Sequence, residues 1–186
     1  DWSVTGVQTC ALPIWYAGWV ECVLVGHLTD TNGDGEIDLC DEPNVALVTR
    51  EGWAPYGTLH LLAGGDGAHL AQYPAWLLAP TCPALGDIDG DGVAEIVAVE
   101  ASGRLVALRH DLSLLWRAPM PIYGPCVAPP CDGTAATSVA LHDLEGDGTV
   151  EILVGHRVYE HDGAMRFSAE PGAVPVHPHG PGTIRK

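Results

Sequence analysis

The sequence predicts an all-β fold made of about three repeats of four short antiparallel strands, and three observations predict it. An acidic, glycine-punctuated loop occurs three times, starting at Asp30, Asp87 and Asp143, about 57 and about 56 residues apart. Behind each loop stands a short apolar run, Val45 to Thr49, Glu95 to Glu100 and Glu151 to Gly155, whose β-branched content and length suit buried strands better than helices. After each run the same order returns: a turn, a second strand, an Asp-containing hairpin turn and a last strand.

The second loop sets the pattern. In Gly86 to Glu100, GDIDGDGVAEIVAVE, carboxylates stand at the first, third, fifth and ninth loop positions as Asp87, Asp89, Asp91 and Glu95, and the main-chain carbonyl of Val93 supplies the seventh. A hard cation such as Ca²⁺ takes about six to eight oxygens, which this alternation can offer. The third copy, HDLEGDGTVEILV, repeats the series as Asp143, Glu145, Asp147, the carbonyl of Thr149, and Glu151. The first, TDTNGDGEIDL, runs Asp30, Asn32, Asp34, the carbonyl of Glu36, and Asp38. A solvated Asp/Gly turn would explain one copy; recurrence favours a cation loop. An EF-hand needs a closing acid at the twelfth position between two helices, yet Ala98 and Val154 occupy that position in the second and third copies. In the first it is Asp41, so this loop can close at Asp38, at Asp41, or at both.

In chain order, residues 1–19 are set aside. Val4 to Ile14, VTGVQTCALPI, reads as adapter-derived, and Val20 to His27 reads as a strand entering the first loop. Residues 20–80 form the first unit, with strands at Val45 to Thr49, Thr58 to Leu62 and near His69 to Tyr73, and an insertion between the first two. Residues 81–130 form the second, with strands at 95 to 100, at Arg104 to Arg109 and ending in Trp116. Residues 131–170 form the third, with Glu151 to Gly155, Arg157 to Glu160 and a strand ending in Phe167. Four antiparallel strands per unit at this period describe a propeller blade, and face-to-face blades explain why EIVAV is continuously apolar. Rings close with about four to eight blades, so the expectation is a partial propeller from a longer chain, ending in a Pro/Gly-rich tail at 171–186.

The stretches GDIDGDGVAEIVAV and HDLEGDGTVEILVG resemble the FG-GAP or VCBS repeats of calcium-binding β-propellers, also seen in integrin α-subunit heads, and TDTNGDGEIDLCDEPNVALVT looks like the variant loop that introduces such blades. The resemblance spans most of residues 20 to 168 and implies calcium in the loops. It departs from the family at Glu145, where Asp or Asn is usual, and at Asn44, which aligns with Glu95 and Glu151.

Composition narrows the function. With 24 acidic and 8 basic side chains among 186 residues and a formal charge of −16, no basic stripe exists to neutralise phosphates, and nucleic acid is not expected as a partner. About half of the acids sit in the three loops, where mutual repulsion calls for bound cations. The apolar run from Ala11 to Val25 is interrupted by Pro13 and Glu21 and falls short of a membrane span. Cys22, Cys40, Cys82, Cys126 and Cys131 show no zinc spacing. A local Cys126–Cys131 bridge and a Cys22–Cys40 bridge are the candidate pairings, against a reading as small buried hydrophobes, and bridges would fit an oxidising compartment.

No GxSxG, HExxH, GxGxxG or P-loop occurs. His110 and His161 share one register before a turn Asp, which points to the fold and not to catalysis. Loop carboxylates that bind calcium are not free to shuttle protons. Trp53, Trp76 and Trp116 are candidates for a sugar-stacking surface, although Trp116 shares its register with Phe167 and reads as inter-blade core. The function expected is a non-enzymatic calcium-binding module, extracellular, surface-exposed or periplasmic, serving adhesion or contact with a protein or glycan ligand. The alternative is an accessory or catalytic propeller of a polysaccharide-active enzyme such as a lyase.

Overall fold

The computed structural model describes residues 18–52, 54–122 and 138–168. Its strands in chain order are β1 Gly18–Gly26, β2 Asn44–Glu51, β3 Tyr56–Ala63, β4 His69–Gln72, β5 Leu77–Leu78, β6 Ala84–Gly86, β7 Glu95–Val99, β8 Arg104–Leu108, β9 Leu114–Pro121, β10 Val139–His142, β11 Glu151–Val154, β12 Arg157–Tyr159 and β13 Met165–Ser168. They build three antiparallel sheets, β1-β2-β3-β4, β6-β7-β8-β9 and β10-β11-β12-β13, with β5 added against β3. Each sheet is a meander of neighbours in sequence, and among the described residues no sheet closes into a barrel.

The sheets stack face to face. Ile96, Ala98, Val106 and Leu108 of the middle sheet pack on Ala46, Val48, Leu59 and Leu61 of the first. The alternate residues Val97, Val99, Leu105 and Ala107 pack on Val139, Ile152, Val154 and Tyr159 of the third. Successive side chains of a strand point to opposite faces, so a strand covered on both sides must be apolar along nearly its whole length, as β7 is from Ile96 to Val99. That is why β7 is buried throughout.

The first strands of successive sheets lie side by side, β1 near β6 and β6 near β10. One juxtaposition recurs: a Cβ on Gly26, the last residue of β1, would meet the Leu85 side chain of β6, and a Cβ on Gly86, the last of β6, would meet Leu141 of β10. A disulfide links Cys22 in β1 to Cys82 just before β6, with Cα atoms 5.6 Å apart. This corrects the Cys22–Cys40 pairing expected from sequence. Cys40 is free and exposed, while Cys126 and Cys131 fall outside the described residues, as do Trp53, the segment 1–17 and the tail 171–186.

Polar contacts reinforce the stack. Glu100 is buried where β7 ends; its carboxylate accepts from Arg117 of β9 (2.6 and 3.0 Å), Ser102 (3.2 Å) and the Tyr73 hydroxyl of the first sheet (2.7 Å). Burial pulls the Glu100 carboxyl up, but Arg117, Tyr73 and Ser102 outweigh it and hold it below its ordinary range. The Tyr73 hydroxyl is pushed up to about 12 by its own burial and by Glu100. Trp116 packs against the core between the second and third sheets, and its Nε1 donates to the His161 carbonyl, 2.9 Å. His110 reaches from the β8–β9 turn to the Leu28 carbonyl at the entrance of the β1–β2 loop, 3.1 Å. Both histidine turns therefore sit at contacts between sheets.

The main strands behind each loop agree with the sequence reading, with three differences. β9 runs to Pro121, past the expected end at Trp116. Half of the insertion expected in the first unit, Arg50, Glu51, Tyr56 and Gly57, is strand, since β2 and β3 extend toward each other as a hairpin in which Arg50 pairs with Gly57. β5, β6 and β10, with two, three and four residues, were not foreseen because runs that short carry no periodicity.

Candidate metal centre

Each acidic loop joins the first and second strands of its sheet, so strands and not helices flank it. Its shape comes from side-chain acceptors that take backbone amides a few residues ahead, the Asx-type bonding that Asp and Asn favour. In the second loop Asp87 Oδ1 accepts from Gly90 N (2.7 Å) and Oδ2 from Gly92 N (3.0 Å), while Asp89 and Asp91 accept from Asp91 N and Val93 N. In the first, Asp30 accepts from Gly33 N and Gly35 N, Asn32 from Asp34 N and Asp34 from Glu36 N. In the third, Asp143 accepts from Gly146 N and Gly148 N, and Asp147 from Thr149 N. Both glycines of every loop have positive φ, between 73° and 90°, a conformation that side chains bearing Cβ resist.

A buried acid closes each loop from behind. Glu95 Oε2 accepts from Ile88 N, 3.0 Å, and Glu151 Oε2 from Leu144 N, 2.7 Å, in each case the amide directly after the first loop Asp. The corresponding amide in the first loop is Thr31 N, and its acceptor is Asp41 Oδ1 at 2.7 Å. Asp41 is buried, accepts also from Asn32 N and Asp38 N, and is held below the usual carboxylate range by the Asp38 amide first and the Thr31 and Asn32 amides after it. Asp38 is exposed and turns its carboxylate to the Cys40 amide. Of the two closures left open by the sequence, the buried one is therefore at Asp41. Asn44 shares the strand register of Glu95 and Glu151, pairing with Gly26 as they pair with Gly86 and His142, yet its Oδ1 takes the Leu28 amide instead.

In the second loop the acids converge: one carboxylate oxygen from each of Asp87, Asp89 and Glu95 lies within 4.8 Å of the others. Burial pushes the Glu95 carboxyl above its ordinary range, and the charges of Asp89, Asp91 and Asp87 push it the same way, against the Ile88 amide that lowers it. No ion pair among the described residues reaches these four acids. An all-oxygen set of this kind fits a hard cation and gives a soft one no sulfur or imidazole.

The third loop differs. Glu145 and Glu151 occupy the places of Asp89 and Glu95, and both face the guanidinium of Arg166 in β13: Glu145 is in direct contact, Glu151 lies at 3.3 Å, and Glu160 at 3.6 Å. Arg166 was missed from sequence. The signal available was its place in the last strand of its unit, where the other two units carry Leu70 and Leu115. Elsewhere, Trp76 is exposed and stacked on Tyr56 with centroids 5.8 Å apart.

No protein-family model and no curated protein matches the chain. Among solved structures, it is similar to the crystal structure of the V. cholerae biofilm matrix protein Bap1, with a TM-score of 0.72 and 30% sequence identity over 86% of this chain and 26% of that one. Most of this chain thus has its counterpart in about a quarter of that protein's length.

Proposed function

We propose that the chain is a non-enzymatic, calcium-binding module of the FG-GAP/VCBS propeller type that works outside the cell or on its surface, in adhesion or in contact with matrix components. The observation that carries this reading is the convergence of Asp87, Asp89 and Glu95 in the β6–β7 loop. Folding gathers like charges there around a nearly inaccessible carboxylate, 2% exposed, and repulsion of that kind is relieved by a bound cation. Asp87, Asp89, Asp91 and Glu95 would hold the ion, with the Val93 carbonyl; the ion would lock the end of β6 to the start of β7.

Further support comes from the architecture. A middle sheet covered on both faces, first strands side by side, and one glycine–leucine juxtaposition repeated between sheets are what consecutive blades around an axis produce. The Cys22–Cys82 bridge fits an oxidising compartment, and the similar structure is that of a biofilm matrix protein.

The test is thermal unfolding in calcium and in excess chelator, with a calorimetric titration of the chelated protein. At a Kd of about 10⁻⁴ to 10⁻³ M and millimolar calcium, each site adds about 0.4 to 1.4 kcal/mol, so the melt should rise with calcium. Identical melts and no heat of binding would refute the reading.

A further inference from the structure

The repeat allows every position of the third loop to be compared with its counterparts in the same chain. Each sheet carries a bulge where its third strand meets its fourth. Leu61 pairs with Ala71 but Leu62 with His69; Ala107 pairs with Trp116 but Leu108 with Leu114; Val158 pairs with Phe167 but Tyr159 with Met165. The residue left over at the bulge, where an extra side chain can be re-aimed, is Leu70, Leu115 and Arg166 in turn. Leu115 packs against the core between the second and third sheets. Arg166 instead sends its guanidinium to the third loop.

Its partners there are informative. Nη2 contacts Glu145, and Nη1 lies 3.3 Å from Glu151. These two residues stand where Asp89 and Glu95 stand in the second loop, and they are two of the three carboxylates that converge there. The change at the bulge is matched by one in the loop, where the position held by Asn32 and Asp89 becomes the longer Glu145, able to reach a cation mounted on β13. Glu145 is thereby drawn onto the guanidinium. Among the described residues the group of three acids with converging oxygens is in the second loop; the third loop contains none, and neither does the first, where the amide Asn32 takes the place of Asp89. A guanidinium is always charged and suits carboxylates in a planar fork; placed between the same two acids, it satisfies them and repels an incoming divalent ion.

We propose that Arg166 is the built-in cation of the third loop, so that this loop keeps its shape without a divalent ion while the second loop takes one. The inference rests on the calcium reading above and is separable from it. The experiment is calorimetric titration of the chelated chain with Ca²⁺ to millimolar concentration, for wild type, Arg166→Leu and Asp143→Ala. The expected stoichiometry is one ion more for Arg166→Leu, which restores the residue of the other two bulges, than for wild type, and for Asp143→Ala the same as for wild type. A stoichiometry that falls by one ion from wild type to Asp143→Ala, or one that is equal in wild type and a folded Arg166→Leu, would overturn the Arg166 assignment and leave calcium binding standing. No binding by any of the three would overturn the calcium reading, and this inference with it. If Arg166→Leu fails to fold, the wild-type and Asp143→Ala stoichiometries decide the matter alone.

Discussion

Removing the Cys22–Cys82 bridge should cost the chain much of its stability. The bridge spans 60 residues, and closing a loop of that length withdraws chain entropy from the unfolded state worth about 4 kcal/mol. It also pins β1 to the entrance of β6, beside the close approach of Gly26 to Leu85, so it acts where the first and second sheets meet along their first strands. The perturbation is Cys22→Ala with Cys82→Ala, read by urea unfolding at fixed calcium and by calorimetry. For a chain of this size each 1 kcal/mol moves the midpoint by roughly 2–4 °C, so the melt should fall by about 8–16 °C. Cys40→Ala is the control: the residue is free and exposed, and such changes stay within about 0.5 kcal/mol. A double variant within about 1 kcal/mol of wild type would refute the reasoning, as would an equally costly Cys40→Ala, which would point to a Cys22–Cys40 pairing.

Three more perturbations probe the contacts between sheets and the loops. Glu100→Gln should cost about 1.5–3 kcal/mol at neutral pH, since it weakens charged hydrogen bonds to Arg117 and Tyr73. The folded Glu100 carboxyl lies below its ordinary 4.5, so its contribution is present above that value and is lost as pH falls through the folded value; urea unfolding at pH 7, 5 and 3 should show the two proteins converging in acid, and a gap that widens in acid would contradict the assignment. Gly163→Ala should destabilise by about 1–3 kcal/mol, because Gly163 has a φ of 82° and a Cβ there would lie 2.7 Å from Trp116; Gly33→Ala, at a φ of 79° with nothing within 4 Å, should cost less in the same melts, and the reverse order would speak against Trp116 as the reason. Asp87→Ala removes the acceptor of two loop amides as well as a proposed ion ligand, so in calcium it should lower the melt more than His110→Ala, which loses one bond to the Leu28 carbonyl; equal losses would undo that division of roles.

The loops were legible in the sequence because their bonds are local. Asp87 takes amides three and five residues ahead, as Asp30 and Asp143 do, and contiguous residue types suffice to specify such contacts. The strands behind them were legible because their apolar runs are long enough to show a pattern, whereas Ala84–Gly86 and Val139–His142 are not. Closure of the first loop stayed open because Asp38 and Asp41 differ by only three positions, and burial is what separates them.

By itself, the sequence determined an all-strand chain with a unit recurring about every 57 residues and oxygen-rich turns at fixed places within it. Only the tertiary structure decided that Cys22 meets Cys82 and not Cys40, that Tyr73 and Arg117 converge on Glu100, and that Arg166 lies between Glu145 and Glu151. The difference is one of range. A turn closes over neighbours that the chain cannot separate, but these contacts join residues up to 60 positions apart. The Cys22–Cys82 and Tyr73–Glu100 contacts form because the first sheet packs on the middle one, and Arg166 reaches the third loop because the last strand of its sheet folds back beside the third.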